Sequence, residues 1–515
     1  MVKACPGPSD CRKVITQTLR KKWKIKPLTK ISSAGAICVQ RRNRVHLPKA
    51  AAPSRSSYNS ANMPGFLSNL LRLLRERRGT DMDFLCHHLL SERGEASQTV
   101  LAQEIIKAYK AMNSAERRGV FEMLCREFAP DEAAIVSAAA AYKRTPDAAN
   151  LAALSVAVEA PRQELLRRIN TASQGTETLV AMRGHLLEAA TNGTDFQPLD
   201  SDLKHLFRSW FNRGFLRMER ITWHTSALTL EKLMAYESVH EINGWPDLRR
   251  RLEADRRCFA FFHPALIDEP IIFVEVALTK GLTGDLAPLL DIRAPVLPPE
   301  QADTAIFYSI SNCLKGLRGI AFGNFLIKQV VTDLAAEFSN IKTYGTLSPL
   351  PNLARALQNQ GEEGFTRDRL SRLLSDYSEG LAAAGGRRDP IEAFFAMIKQ
   401  PVANREALAK PLERIALAYL TQVHQNGKLY DPVATFHLSN GARLQRIHAF
   451  GNLRPYGLQA SFGLTANYLY VPAELEENHE RFVREGEIRV SSELEREYKT
   501  VSEAWRSEPH KGKKR

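Results

Sequence analysis

Three things are scarce in this chain, and each scarcity excludes a class of protein. Seven cysteines among 515 residues form no Cys-x-x-Cys pair: Cys5, Cys11 and Cys38 fall early, and Cys86, Cys125, Cys258 and Cys313 are widely spaced. That usage fits reduced, mostly buried thiols and excludes a disulfide-stapled scaffold. No run approaches the ~18–20 consecutive apolar residues that a membrane-spanning helix needs. The first apolar stretch is broken by lysines, so no secretory signal is legible either. Acids are nearly missing from residues 1–62, where 14 Lys/Arg face Asp10 alone.

What is present is ordinary for a globular protein of two to four domains: 44% hydrophobic and 25% charged residues. The net charge of +14 suggests nucleic acid or an acidic membrane surface at face value. Its distribution argues otherwise, because residues 63–515 hold 57 basic against 56 acidic residues. The excess belongs to a basic, Ser- and Pro-rich leader over 1–62. Such a leader fits a mitochondrial-type presequence and also fits sequence upstream of a true start at Met63, which opens MPGFLSNLLRLLRERRG. The second alternative places the protein in the cytoplasm, the first in the mitochondrial matrix. The C-terminal HKGKKR lacks a peroxisomal Ser-Lys-Leu address.

Residues 63–203 read as a helical domain. Leu67, Leu70, Leu71 and Leu74 form an i, i+3, i+4, i+7 stripe, and LAALSVAVEAPRQELLRRI continues the pattern. From 204 to 495 short β-type runs alternate with helical ones: CFAFFHP at 258–264, PIIFVEVALT at 270–279 and TAIFYSIS at 304–311. Residues 433–471 read as strand-like, 380–390 as a flexible surface loop, and 496–515 as a basic tail. The fold class expected is α+β, a helical bundle followed by a mixed α/β catalytic domain.

The densest segment is 304–351. In TAIFYSIS, alternation places Ile306, Tyr308 and Ile310 on one face and Phe307, Ser309 and Ser311 on the other. A Gly-rich loop follows, then a helix striped by Ile327, Val330, Val331, Leu334 and Phe338, then a strand IKTYGTL ending at Ser348-Pro349. Strand, loop, helix, strand is a crossover unit. Gly316, Gly319 and Gly323 permit close backbone approach, and free N–H groups at the helix start beside Lys315 and Arg318 suit a phosphate or pyrophosphate. By glycine spacing alone, a helix start without any ligand fits as well. There is no G-K-[ST] and no G-x-G-x-x-G, which disfavours nucleoside triphosphate and nicotinamide ligands.

Arg318-Gly-Ile-Ala-Phe-Gly323 resembles the pyrophosphate loop of the GNAT superfamily of acetyltransferases, with Ala321 in place of its first glycine. The wider FYSISNCLKGLRGIAFGNFLIKQVV and TLSPLP resemble the malonyl-CoA decarboxylase family. So do FHLSNGARLQRI at 436–447, GLQASFGLTANYLY at 457–470, and RITWHTSALTLEKL with ESVHEINGW at 220–245. These blocks stand in the family's order over roughly 63–495. The resemblance implies a GNAT-like catalytic domain that turns malonyl-CoA into acetyl-CoA and CO2. It implies coenzyme A held at Arg318, Gly319, Ile320, Ala321, Phe322, Gly323 and Asn324, and a homotetramer.

Loss of CO2 from malonyl-CoA leaves an enolate, and the thioester is itself the electron sink. No pyridoxal, thiamine or metal cofactor is therefore expected. What is needed is orientation, oxyanion stabilisation and a proton. His437 lies in TFHLSN, read as a strand with Thr435, His437 and Ser439 on its polar face; its ordinary pKa of ~6.5 suits acid–base work. By its residues alone it fits a hydrogen-bonded, semi-buried histidine better, and Ser348 a Ser-Pro turn. The resemblance makes His437 and Ser348 a catalytic dyad contacting the malonyl group. Ser348 is expected to handle a proton rather than act as a nucleophile, because no G-x-S-x-G elbow is present. Ser309 and Thr225 align with positions important in the family, and Thr225 replaces the serine of many members. Asn467 and Tyr468 could bind substrate or finish a strand, and His448 lies outside the matched motif.

Other signals do not add up to a site. His87-His88 and His240-Glu241 lack partners at metal-ligand spacing, so no metal is expected. Asn192-Gly-Thr194 is a glycosylation sequon without meaning in a reducing compartment. Two alternatives carry different consequences. A GNAT-type acyltransferase would need an amine acceptor. A nucleic-acid-associated protein would bind through residues 1–62 alone, with strong salt dependence.

Overall fold

The computed structural model describes residues 81–92, 94–190, 196–320, 325–359 and 364–506, with nothing stated for the Phe325 side chain. Its first part is helical: α1 (Met82–Ser91), α2 (Glu95–Ala111), α3 (Ser114–Arg126), α4 (Glu132–Arg144), α5 (Ala148–Val158), α6 (Pro161–Asn170), α7 (Gly175–Ala189) and α8 (Gln197–Trp210). The starts are local chemistry. Asp81, Asn113, Asp131 and Asp147 turn side-chain oxygens onto free N–H groups of the helices they precede. Pro161 and Pro198 occupy first turns, where a missing N–H costs nothing. Leu165, Leu179, Leu186, Leu203 and Phe207 are fully buried, each worth ~1.5–3 kcal/mol of transfer free energy. The α4–α5 pair differs: neither helix buries a residue, and Val136, Leu151 and Val156 stay exposed.

The sheet is built from β1 (Arg217–Ile221), β2 (Arg256–Phe262), β3 (Pro270–Thr279), β4 (Thr304–Asn312), β5 (Thr343–Thr346), β6 (Ser348–Pro349), β9 (Arg443–His448) and β10 (Thr465–Leu469). A separate ribbon joins β7 (His424–Gln425) to β8 (Lys428–Leu429). The order is β1-β2-β3-β4-β5-β10-β6, with β9 on β10. Helices α9 (Ala227–Tyr236) and α10 (Trp245–Arg251) stand between β1 and β2 in the chain. Of these paired strands only β4 and β5 run parallel, joined by the crossover helix α11 (Phe325–Glu337), and the other pairs are antiparallel. One hydrophobic core runs from the helical region into the sheet, and the described residues belong to one compact unit.

One register detail shapes everything that follows. β4 and β5 pair from Thr304↔Thr343 to Phe307↔Thr346, and Leu347 N–H then donates to Phe307 O at 2.9 Å. Beyond that bond Ser348 and Pro349 turn to pair with β10, whereas β4 continues to Asn312 against β3 alone. Two parallel strands part, and a cleft opens between them.

Several expectations need correction. Residues 433–471 are not continuous strand: helix α12 (Pro432–Ser439) precedes β9, and a helix Pro455–Ser461 precedes β10. Asp431 caps α12 by accepting from Ala434 N–H at 2.7 Å, and Pro432 stands in its first turn. That local start overrides the β-type look of Val, Thr and Phe. Residues 380–390 hold a helix Ser378–Gly385, its end turned by left-handed Gly386, and the next helix begins at Pro390. The basic tail is helix α13 (Ser492–Arg506) as far as 506, with Val501 and Trp505 buried on its apolar face. Helix α8 runs straight through the expected domain boundary at 203/204. The face shared by Phe307 and Ser309 is also broken. A bulge at Tyr308 sets Phe307 opposite Val276 and Ser309 opposite Glu275, which lie on opposite faces of β3.

Candidate active site

The cleft holds a cavity of about 470 Å³. Its walls come from both parted strands (Ser309 and Ile310 on one side, Leu347 and Ser348 on the other), from α12 (Val433, Phe436, His437) and from Gly319 at the loop. No charged side chain lines it among the described residues.

Ser348 and His437, 89 positions apart, meet here: Ser348 Oγ stands 3.0 Å from His437 Nε2. Both are buried. Ser348 Oγ donates to Thr346 Oγ1 at 2.8 Å, and Thr346 Oγ1 also accepts from Tyr468 N–H at 3.0 Å. The hydroxyl hydrogen of Ser348 being so directed, its oxygen accepts from Nε2–H. His437 Nδ1 is then the acceptor for Tyr470 O–H at 2.7 Å. Tyr470 is suited to that duty, since burial pushes its phenol well above the ordinary range and keeps it protonated. The Tyr468 ring stacks on the imidazole at 4.6 Å. The result is a directed chain from Tyr470 through His437 and Ser348 to Thr346.

Burial also corrects the expected titration of His437. Its pKa is pushed from 6.5 down to about 3 by loss of hydration. At neutral pH this residue is a neutral imidazole offering one N–H, not an imidazolium.

Ser309 lies on the opposite wall of the same cavity, buried, and donates to Glu237 Oε2 at 2.7 Å. Glu237 also accepts from Ser311 Oγ at 3.2 Å and from the N–H groups of Val239 and His240 at 2.7 Å. With its hydrogen spent on Glu237, Ser309 turns lone pairs elsewhere.

The loop residues fall in two groups. Arg318 and Gly319 are exposed and Ile320 is buried; Gly319 sits at the cavity with φ +75°. Ala321, Phe322, Gly323 and Asn324 lie outside the described residues. Lys315, expected beside the phosphate, instead reaches Glu188 of α7 at 2.8 Å on the surface.

Other expected residues are placed elsewhere. Thr225 does not line the cavity: its hydroxyl accepts from Thr222 N–H at 3.0 Å in a turn beside a separate hollow of about 650 Å³. Asn467 is fully buried and spends its amide on the carbonyls of Thr346 (2.6 Å) and Thr283 (3.0 Å), with His448 on its oxygen. His87, without a sequence partner, stands with Asp83 and Glu127 on an exposed surface. Sequence reasoning missed Tyr470, Thr346 and Glu237. Tyr470 and Thr346 each had a signal, standing two residues from Tyr468 in TANYLY and from Ser348 in TLSPLP, and Glu237 opens the quoted ESVHEINGW block.

Comparison with known proteins follows the same geography. Residues 128–211 match the model of the malonyl-CoA decarboxylase N-terminal domain, and 214–508 that of the C-terminal domain. The mitochondrial malonyl-CoA decarboxylase of Anser anser anser is 31% identical over 425 residues, covering 76% of this chain and 82% of that protein. The Mus musculus protein of the same name is 29% identical, covering 79% and 86%. Among solved structures, malonyl-CoA decarboxylase from Rhodopseudomonas palustris is 41% identical with a TM-score of 0.73, covering 81% of this chain and 99% of that one. The Cupriavidus metallidurans enzyme gives 31% and 0.65, covering 83% and 100%.

Proposed function

This chain belongs to the malonyl-CoA decarboxylase family and is a carboxy-lyase, and on that premise we propose that it converts malonyl-CoA to acetyl-CoA and CO2 at the Ser348–His437 pair. The observation that carries this reading is the 3.0 Å contact between Ser348 Oγ and His437 Nε2 inside a cavity whose described lining holds no charge. A malonyl carboxylate entering such a cavity sheds hydration while its charge is localised. When the bond to CO2 breaks, its electron pair moves into the thioester and the charge spreads over an enolate. Hydrogen bonds from neutral donors then strengthen as the oxygen gains charge. A neutral imidazole can serve this way, polarising a carbonyl without an imidazolium. The enolate carbon finally takes a proton from the Ser348–His437 pair, which regains it from water. A thioester enolate is a far stronger base than either group, so a neutral donor suffices. Arg318 through Asn324 hold the pyrophosphate of coenzyme A, and no resident cofactor or metal takes part.

The test incubates the purified chain with malonyl-CoA and follows acetyl-CoA. His437→Ala and Ser348→Ala are each expected to lower kcat by about 10²–10⁴-fold while coenzyme A affinity is kept. Folded, coenzyme-A-binding protein without turnover overturns the reading; variants with wild-type kcat overturn the site.

The homotetramer is part of the same proposal. Helices α4 and α5 leave Val156 74% and Val136 62% exposed, and an apolar pair without a buried face suits a partner subunit. Val156→Asp is expected to lower the mass measured by light scattering; unchanged mass removes this helix pair from the interface. The compartment turns on residues 1–62: a start at Met63 without them speaks for the cytoplasm, and their cleavage as a presequence for the matrix. The N-terminal sequence of the native protein distinguishes the two.

A further inference from the structure

The turn that precedes the loop is held from behind. Arg183, on α7 of the helical region, is 1% exposed. Its Nε donates to Asp200 Oδ1 at 2.8 Å, and its Nη1 donates to Gly316 O at 2.5 Å and Arg318 O at 2.8 Å. The same helix presses against the turn elsewhere. A Cβ at Gly316 would stand 1.8 Å from Val180 O, so only glycine permits the approach.

The direction of these bonds matters. In a trans peptide the C=O and the following N–H point opposite ways, and there is no cis peptide among the described residues. Drawing Arg318 O back towards Arg183 therefore turns Gly319 N–H outward. Among the described residues no acceptor meets that N–H, and Gly319 borders the cavity. A guanidinium behind the turn also adds positive potential on the ligand side. A buried charge contributes little to stability for its own sake, since desolvation offsets its pairing. Its rigid plane, however, holds both carbonyls through Nη1 while Nε is anchored on Asp200, a fixed geometry that a flexible lysine ammonium does not supply.

We propose that Arg183 is a positioning residue for the coenzyme A phosphates, clamping the carbonyls of Gly316 and Arg318 so that Gly319 N–H faces the ligand. The helical region then has a part in substrate binding. This rests on the reading that Arg318–Asn324 hold the pyrophosphate.

The experiment compares malonyl-CoA with malonyl-pantetheine, which keeps the thioester and the carboxylate but has no phosphate. Arg183→Gln is expected to raise KM for malonyl-CoA about tenfold with kcat little changed. Its kcat/KM for malonyl-pantetheine should stay within about twofold of wild type. Arg183→Lys should fall between them, and Asp200→Asn should shift malonyl-CoA alone in the same direction. An equal loss on both substrates, or no loss on either, overturns the proposal. If the wild type itself shows no preference for malonyl-CoA over malonyl-pantetheine, the phosphate reading of the loop fails instead. Should Arg183→Gln not fold, the lysine and Asp200→Asn variants decide by the same comparison.

Discussion

His437 shows how far a single residue's chemistry can depart from its type. Exposed, it would titrate near pH 6.5; enclosed by Tyr468, Tyr470 and Ser348, it is pushed down to about 3. It is therefore neutral across the physiological range, and kcat is expected to stay flat with respect to this group from roughly pH 5 to 8. An inflection near pH 6.5 that vanishes in His437→Gln would show the imidazole to be charging in use. Ser348 and His437 were legible as candidates through the motifs around them, but the protonation state of the imidazole was not. Desolvation is a sum over neighbours from distant segments, and no local pattern encodes it. Thr346 and Glu237 stand in the quoted motifs, yet their part was hidden for a related reason. They act by accepting hydrogen bonds, among them those of Ser348, Ser309 and Ser311, which only the folded chain brings to them.

Among the elements, α12 matters most. Eight residues are too few for a periodicity to distinguish helix from strand, and TFHLSN satisfies an alternating pattern. The deciding signal was Asp431-Pro432, a cap followed by a first-turn proline. Asp431 is fully buried and also accepts from Tyr419 O–H at 2.7 Å, anchoring the helix that carries His437. Asp431→Ala removes both bonds and is expected to destabilise the protein by ~1–2 kcal/mol. It should lower kcat as well, because His437 loses its fixed distance to Ser348. Thermal unfolding and kinetics on the same sample check this, and wild-type values for both would remove Asp431 from that role. The strands of the sheet were better legible: β3 occupies the expected 270–279, and β4 ends one residue beyond expectation. The parting of β4 and β5 after Phe307 was not, because β4 continues with ordinary β-type residues and Ser348-Pro349 does not reveal which strand it pairs with.

At the scale of the molecule, burial of histidine has a price in acid. His240 is also held down to about 3, by burial and by the nearby Arg251 and Arg454 charges. Unfolded, both histidines bind a proton near pH ~6.5. The unfolded chain thus binds more protons between the two values, and stability increases with pH there. Their contribution is fully present above pH ~6.5 and is lost as the pH falls toward 3. The melting temperature should fall over that window, and His240→Gln, which cannot titrate, should make the fall shallower. An unchanged slope would mean that His240 is protonated in the fold.

The sequence by itself determined the two kinds of region, the family, the strand–loop–helix–strand unit and the motifs that carry Ser348 and His437. These depend on short contiguous segments, where periodicity and motif are local properties. Tertiary structure decided how those segments meet: that β4 and β5 part to make a cavity, that α12 rather than a strand delivers His437, and that Thr225 stays away. It decided too that Lys315 is spent on Glu188, while Arg183 from the helical region stands behind the turn at Gly316–Arg318. Such facts rest on register, burial and contacts between residues up to 135 positions apart. They are fixed only when the chain closes on itself.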